Sequence, residues 1–304
     1  MRSVRFKSMN RKFKHKDAKD ESGNVIHVSD AKKGIKYYCT DPECNKEIIY
    51  RDSGKTGKGS KRPHFSHKKG TSPNCSPERA LHNVFQNRLI DLLEKHKTEK
   101  SPFIFNWNCR ACNYSNSGNL LDKVNLIKIE YPLAECRPDI ALLDNKDNVL
   151  AVIEIVVTHP PEDKVLKYYE DQRMVLIQIE LTSDEDSNRV EEIAKNPTIV
   201  DFCINPTCQS VNRYNINRRI IPLEHYCSKC RSRILKFEVE IDGVFGVQRS
   251  LWFTKEETEL VKSKGQNIVI NKKTNELGIK EEYPVMECLN CKKLRSRYAR
   301  RGRL

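Results

Sequence analysis

Two carboxylates interrupt the most apolar stretch of this sequence. Asp139 stands at the head of the run Ile140, Ala141, Leu142 and Leu143, and Glu154 stands inside a second run from Val149 to Val157. The polar segment Asp144, Asn145, Lys146, Asp147, Asn148 separates them, so the two runs read as a β-hairpin. A carboxylate inside an apolar strand costs several kcal/mol unless something compensates it. Two of them on paired strands can share one partner, a hard cation with oxygen ligands such as Mg2+ or Mn2+. Alternation puts Glu154, Val156 and Thr158 on one face of their strand.

The second set of chemical residues is thiol-rich. Eleven of the twelve cysteines lie in close pairs or beside histidines, and only Cys136 stands apart. In a chain with no disulfide-forming context, this spacing points to zinc. Cys39, Cys44, His64, His67 and Cys75 offer five candidates for one tetrahedral site. Cys39, Cys44, His67 and Cys75 are the preferred four, with His64 the rival. Cys203-x4-Cys208 and Cys227-x2-Cys230 read as a zinc ribbon. Cys109-x2-Cys112 and Cys288-x2-Cys291 are then left, and elimination pairs them across the fold. Independent knuckles or metal-free thiols are the competing readings. Two to three structural Zn2+ ions are expected.

The elements that must position these groups follow from pattern. Ser76 and Pro77 open a helix over residues 77–97, with Leu81, Val84, Phe85, Leu89, Leu92 and Leu93 at helical spacing. Glu78, His82 and Gln86 fall on one stripe beside that apolar face. Strands are predicted over residues 102–108, 126–133 and 174–181, in addition to the hairpin. Helices are predicted over 160–172 and 187–195. The order helix, strands, helix, strand describes an α/β fold with a mixed sheet flanked by helices and small zinc modules at both ends. The expected divisions are a basic arm over 1–24, a zinc module over 25–76, the α/β domain over 77–200, the ribbon over 201–240, and a C-terminal segment over 241–304.

The chain of 304 residues has a formal charge of +14. An excess that large points to a polyanionic partner, with DNA first. The cations of the C-terminal tail, Lys292, Lys293, Arg295, Arg297, Arg300 and Arg301, are the natural phosphate contacts. No run of 18 apolar residues occurs, so no membrane partner is expected. The first residues lack an apolar signal core, and a cytoplasmic location is expected.

Taken together, Cys39-x4-Cys44, His64-Phe65-Ser66-His67, Ser76-Pro77-Glu78-x3-His82 and Arg137-Pro138-Asp139-Ile140 with Glu154-Ile155-Val156 resemble the competence protein CoiA-like nucleases. That family belongs to the Pro-Asp…Asp/Glu-x-Lys superfamily, and the likeness covers roughly residues 25–182. It implies an N-terminal zinc module and a restriction-endonuclease-like domain acting on DNA. By resemblance, Asp139, Glu154 and the Ile155 carbonyl hold Mg2+ or Mn2+, and a lysine is expected two residues after Glu154. Val156 stands there instead. Lys164 and Lys167, on the following helix, are candidates to reach the site in its place. Glu78 is a candidate to complete the metal shell through water, or else complements the helix dipole. His82 is a candidate phosphate contact.

The expected function is a metal-dependent DNA nuclease in DNA processing or defence against foreign DNA, working alone or with a protein partner in such a complex. The alternative is a catalytically inactive, zinc-stabilised DNA-binding module.

Overall fold

The computed structural model describes residues 13–52, 62–70, 75–206, 208, 216–274, 280–292 and 294–295. The chain divides into two compact units. One comprises Met1–Asn108 with Asn119–Asp201, the other Cys109–Gly118 with Phe202–Leu304.

The first unit begins with a five-stranded antiparallel sheet. Its strands are β1 (Asp17–Lys19), β2 (Val25–His27), β3 (Tyr37–Tyr38), β4 (Glu47–Arg51) and β5 (His64–His67), in the order β2-β1-β3-β4-β5. Ala18, Val28, Tyr37, Cys39, Ile48 and Phe65 form its core. The second half of the expected basic arm is therefore part of a sheet, and residues 1–12 lie outside the described residues. Pairing explains why charged residues there are buried. Asp17 accepts from Arg88 (3.0 Å) and from the Ser187 hydroxyl (2.6 Å), and Lys16 pairs with Glu185 at 2.8 Å.

Helix α1 (Pro77–Thr98) starts where expected. The Ser76 hydroxyl accepts from the Arg79 N–H at 3.1 Å, and Pro77 occupies a first-turn position with no donor to lose. Ala80, Leu81, Val84, Phe85, Leu89 and Leu93 are buried along one face, each large side chain contributing roughly 1.5–3 kcal/mol. Strand β6 (Ile104–Asn108) follows in this unit, and β7 (Ser115–Asn119) falls mostly in the other.

The central sheet runs β12-β11-β10-β9-β8, from β8 (Leu126–Ile129), β9 (Ile140–Leu143), β10 (Val149–Val156), β11 (Val175–Glu180) and β12 (Ile199–Val200). β10 and β11 are parallel and are joined through helix α2 (Asp163–Asp171); the other neighbours are antiparallel. β9 is buried throughout, and β10 and β11 nearly so, as their unbroken apolar runs require. The hairpin turn is held by Asp144, whose side chain accepts from the N–H groups of Lys146 and Asn148. α2 begins later than predicted, because Pro160 and Pro161 favour extended backbone before the helix opens at Asp163. The helix expected over 187–195 is a 3-10 turn (Asp186–Asn188) followed by the short α3 (Val190–Ala194). Asp186 draws that turn back by accepting from the N–H groups of Thr182 and Ser183.

The second unit is built from two three-stranded antiparallel sheets. One contains β13 (Asn217–Tyr226), β14 (Arg233–Gly243) and β15 (Gly246–Ser250), the other β16 (Asn267–Thr274), β17 (Lys280–Glu287) and β18 (Leu294–Arg295). Helix α4 (Lys255–Ser263) lies between them in sequence and carries a capping box of Thr254 and Glu257. Phe202, Phe237, Val239, Ile241, Phe245 and Val285 are its main buried side chains. Among the described residues no helix is long and apolar enough to cross a membrane.

Candidate metal centres and a carboxylate site

Three groups of four metal-ligating side chains are brought together among the described residues, each with all ligand atoms within 4.8 Å of one another. The first is Cys39, Cys44, His67 and Cys75. His64 is excluded by strand alternation: on β5, His67 shares a face with the buried Phe65, while the His64 ring contacts the Arg62 carbonyl at 2.9 Å.

The other two centres correct the pairing expected from spacing. Cys109 and Cys112 join Cys203 and Cys208, and Cys227 and Cys230 join Cys288 and Cys291. The reason is the length of the hairpin. β13 and β14 pair continuously from Asn217↔Asp242 to Tyr226↔Arg233, which puts Cys227 and Cys230 at the hairpin tip. Cys203 and Cys208 precede the hairpin at its other end and meet the Cys109 knuckle there.

The geometry fits zinc. Four thiolates at about 2.3 Å from one ion make a tetrahedron with edges of about 3.8 Å. The sulfur separations are 3.6 Å (Cys109–Cys208), 3.7 Å (Cys112–Cys203), 3.5 Å (Cys227–Cys291), 3.8 Å (Cys230–Cys288) and 3.7 Å (Cys39–Cys75). A disulfide would require about 2.05 Å. His67 turns Nε2 toward Cys75 at 3.1 Å. The local backbone is also that of a metal knuckle. In four of the five thiol pairs the residue after the second thiol, Asn45, Asn113, Arg231 or Lys292, has positive φ; the fifth lies outside the described residues. In the three Cys-x2-Cys knuckles its N–H returns to the carbonyl of the first cysteine at 2.8 Å.

Burial pushes the Cys39 thiol up to about 11, with the charge on Cys44 adding. Burial also pushes up Cys75, Cys112 and Cys203, and the neighbouring thiols add to the rise at Cys75 and Cys203. A dication among them reverses that balance and releases the protons. Cys230 is drawn the other way by hydrogen bonds from Ser232. Asn205 was not foreseen. Its N–H lies 3.4 Å from the Cys203 sulfur and its amide 3.6 Å from the Cys112 sulfur, a supporting shell for that centre. The only signal in sequence was an amide two residues past a cysteine.

The carboxylates meet as the hairpin requires. Ile153 pairs with Ile140, and one step further along the same register sets Glu154 beside Asp139. Asp139 is held on three sides. Oδ2 accepts from the Ile155 N–H at 2.7 Å, Oδ1 lies 3.1 Å from His82 Nε2, and its carbonyl accepts from Gln86 Nε2 at 2.8 Å. His82 and Gln86 thus act from the stripe of α1 recognised in sequence, with Gln86 in an unforeseen role. Glu154 accepts from the Tyr169 hydroxyl at 2.5 Å. Tyr169, on α2, is 1 % exposed and was not foreseen; among the aromatic residues of that helix nothing in the sequence singled it out.

Burial pushes Glu154 up to about 7 against the lowering effect of the Tyr169 hydroxyl, while the charge of Asp139 adds and His82 opposes. Burial disfavours the charged form of His82, but its hydrogen bond to Asp139 and the charges of Asp139 and Glu154 outweigh this and raise it. Glu154 Oε2 has no hydrogen bond among the described residues, and each Asp139 oxygen keeps a lone pair. The donor set therefore fits a hard dication that retains waters.

Other expected members lie elsewhere. Lys164 pairs with Glu162 and Lys167 with Asp171, each at 3.0 Å on the exposed side of α2. Neither contacts the carboxylates among the described residues, so the migrated-lysine expectation is not met in this arrangement. Glu78 makes no hydrogen bond or ion pair to Asp139, Glu154 or His82 there, and its charge acts on His15. Val156 is buried, 3 % exposed. Of the tail cations, Lys292 is exposed and 3.9 Å from Glu287, and Arg295 pairs with Met286 in β18. Lys293, Arg297, Arg300 and Arg301 lie outside the described residues.

No protein-family profile, curated protein or solved structure matches the chain.

Proposed function

We propose that this chain is a zinc-stabilised, Mg2+- or Mn2+-dependent DNA nuclease with a restriction-endonuclease-like core. One observation carries the reading. Asp139, immediately before β9, stands beside Glu154 on the antiparallel β10, with His82 against Asp139 from the preceding helix. The order α1, β8-β9-β10, α2, β11 is the framework that the resemblance to CoiA-like nucleases implies, and the net charge of +14 suits DNA.

When bound, the divalent ion supplies the Lewis acidity that activates water and offsets charge on the attacked phosphate. Asp139 and Glu154 would hold it. The Ile155 N–H and Gln86 fix Asp139, and Tyr169 fixes Glu154. His82, 3.1 Å from Asp139 and held above its usual value by that carboxylate, orients Asp139 and is placed to meet the phosphate. DNA processing or defence, with or without a protein partner, is the setting this chemistry serves.

The test is cleavage of single- and double-stranded DNA with Mg2+ or Mn2+ against a metal-free control. Tyr169→Phe is expected to lower the rate about ten- to a hundredfold, since a hydrogen bond to a charged group contributes about 1.5–3 kcal/mol. Lys164→Ala and Lys167→Ala are expected to stay within about twofold, because their ammonium groups serve exposed pairs of small value. A large loss in either lysine variant would return that lysine to the site. The second reading, a DNA-binding module without cleavage, is favoured by the buried Val156. It becomes the correct one if no DNA form is cut with either metal.

A further inference from the structure

We propose that the outer face of the Cys227/Cys230/Cys288/Cys291 centre is a binding surface for single-stranded nucleic acid. The inference depends on this zinc centre and not on cleavage.

The surface is assembled by the hairpin register. Tyr226 pairs with Arg233, and Glu224 with Leu235, so all four side chains lie on one face of the β13–β14 ribbon at its tip. Tyr226 is 64 % exposed and Leu235 is exposed beside it. The knuckle that closes the tip adds exposed Lys229 and Arg231, and the facing knuckle adds exposed Leu289 (50 %) and Lys292. Two acids lie beside these cations among the described residues: Glu224 pairs with Arg233, and Glu287 lies 3.9 Å from Lys292, while Lys229 and Arg231 remain exposed. An exposed aromatic ring flanked by cations is what a single strand needs: its bases stack on the ring and its phosphates meet the charges. A duplex keeps its bases stacked inside and has no use for the ring.

The simplest competing account is charge balance. Four thiolates around a dication carry net negative charge, and cations gather near it. That account does not explain the exposed Tyr226. The residue after the second thiol adopts left-handed backbone, which costs an ordinary side chain about 1 kcal/mol and which, after glycine, asparagine tolerates best. The Cys109 knuckle has Asn113 there (φ 55°), but the two knuckles of this centre have Arg231 (φ 58°) and Lys292 (φ 59°). Lys100 (φ 53°) and Arg173 (φ 57°) carry the same backbone elsewhere, so asparagine is the substitution that removes these charges and keeps the conformation.

The experiment uses the full-length, zinc-loaded protein. Fluorescence anisotropy is read with a labelled oligothymidylate and with a hairpin duplex. Tyr226→Leu is expected to weaken the single strand about tenfold and the duplex less than about twofold, while Tyr226→Phe binds as wild type. The double variant Arg231→Asn, Lys292→Asn keeps the backbone preference and removes two charges. Its zinc content should be unchanged, and its salt dependence should flatten by roughly one unit per lost phosphate contact. The proposal is overturned if Tyr226→Leu binds the single strand normally, or loses the duplex as much as the single strand. It is overturned equally if the asparagine variant keeps the wild-type salt slope, which would leave the cations as counter-charges to the thiolates.

Discussion

Glu154→Gln is expected to abolish metal-dependent cleavage and, above neutral pH, to make the metal-free protein more stable than wild type. The two effects have one origin. Burial holds Glu154 up at about 7, above the ordinary glutamate value of 4.5. A folded-state value raised above the unfolded one gives stability that is complete below the unfolded value and is lost as pH rises through the folded one. Ionised Glu154 therefore costs the fold progressively between about pH 4.5 and pH 7, reaching up to about 3 kcal/mol beyond that window. Glutamine fits the same space, still accepts from Tyr169 and never ionises. Denaturant unfolding of both proteins at pH 4.5 and pH 8 is the measurement. Near-equal midpoints at the acid end, and a higher midpoint for the variant at the alkaline end, are expected. Adding Mg2+ should narrow the gap at pH 8, because only wild type gains from binding it. Cleavage by the variant, like that by Asp139→Ala, should fall by about a thousandfold or more, since each removes an oxygen ligand from a site with few. A variant less stable than wild type at pH 8 would show that Glu154 is a structural acid.

Local rules made much of this site legible. The N-cap and first-turn proline of α1, the helical stripe that delivers His82, and the hairpin that sets Glu154 beside Asp139 all depend on spacing within one or two elements. The same is true of the His67 choice, which follows from alternation along β5. The failures share a different cause. Tyr169 reaches Glu154 because α2 packs across the parallel β10–β11 pair, and no periodicity in α2 distinguishes Tyr169 from Tyr168. The lysines two and five residues before it looked chemically better and point elsewhere. The thiol pairing failed similarly. Sequence proximity favours Cys208 with Cys227, but a ten-residue strand between them carries the second pair to the far end of the hairpin. Spacing names the ligands of a metal site, whereas the length of the intervening strand decides which of them meet.

The exchanged pairing leads to the other large expected effect. Full-length protein purified without added metal should hold three zinc ions, and Cys109→Ser should remove one and unfold the centre it shares with Cys203 and Cys208. A structural zinc contributes on the order of 10–16 kcal/mol in isolated zinc modules. Whole domains are stable by only about 5–15 kcal/mol, so loss of a centre is felt across its unit. The discriminating readout is thiol reactivity rather than stability alone. In the Cys109→Ser protein, Cys203 and Cys208 should become open to alkylation at once. Cys227, Cys230, Cys288 and Cys291 should stay protected until zinc is chelated. In the Cys288→Ser protein the pattern reverses, with Cys227 and Cys230 exposed first and Cys203 and Cys208 protected. Peptide mapping after a brief exposure to iodoacetamide separates the two. A ribbon of Cys203, Cys208, Cys227 and Cys230 would instead leave all four protected in both variants. The sulfur separations of 3.6 Å between Cys109 and Cys208 and 3.5 Å between Cys227 and Cys291 leave no room for that outcome. Each serine should also lower the zinc content from three to two, because three good ligands without a fourth bind far more weakly than a closed tetrahedron.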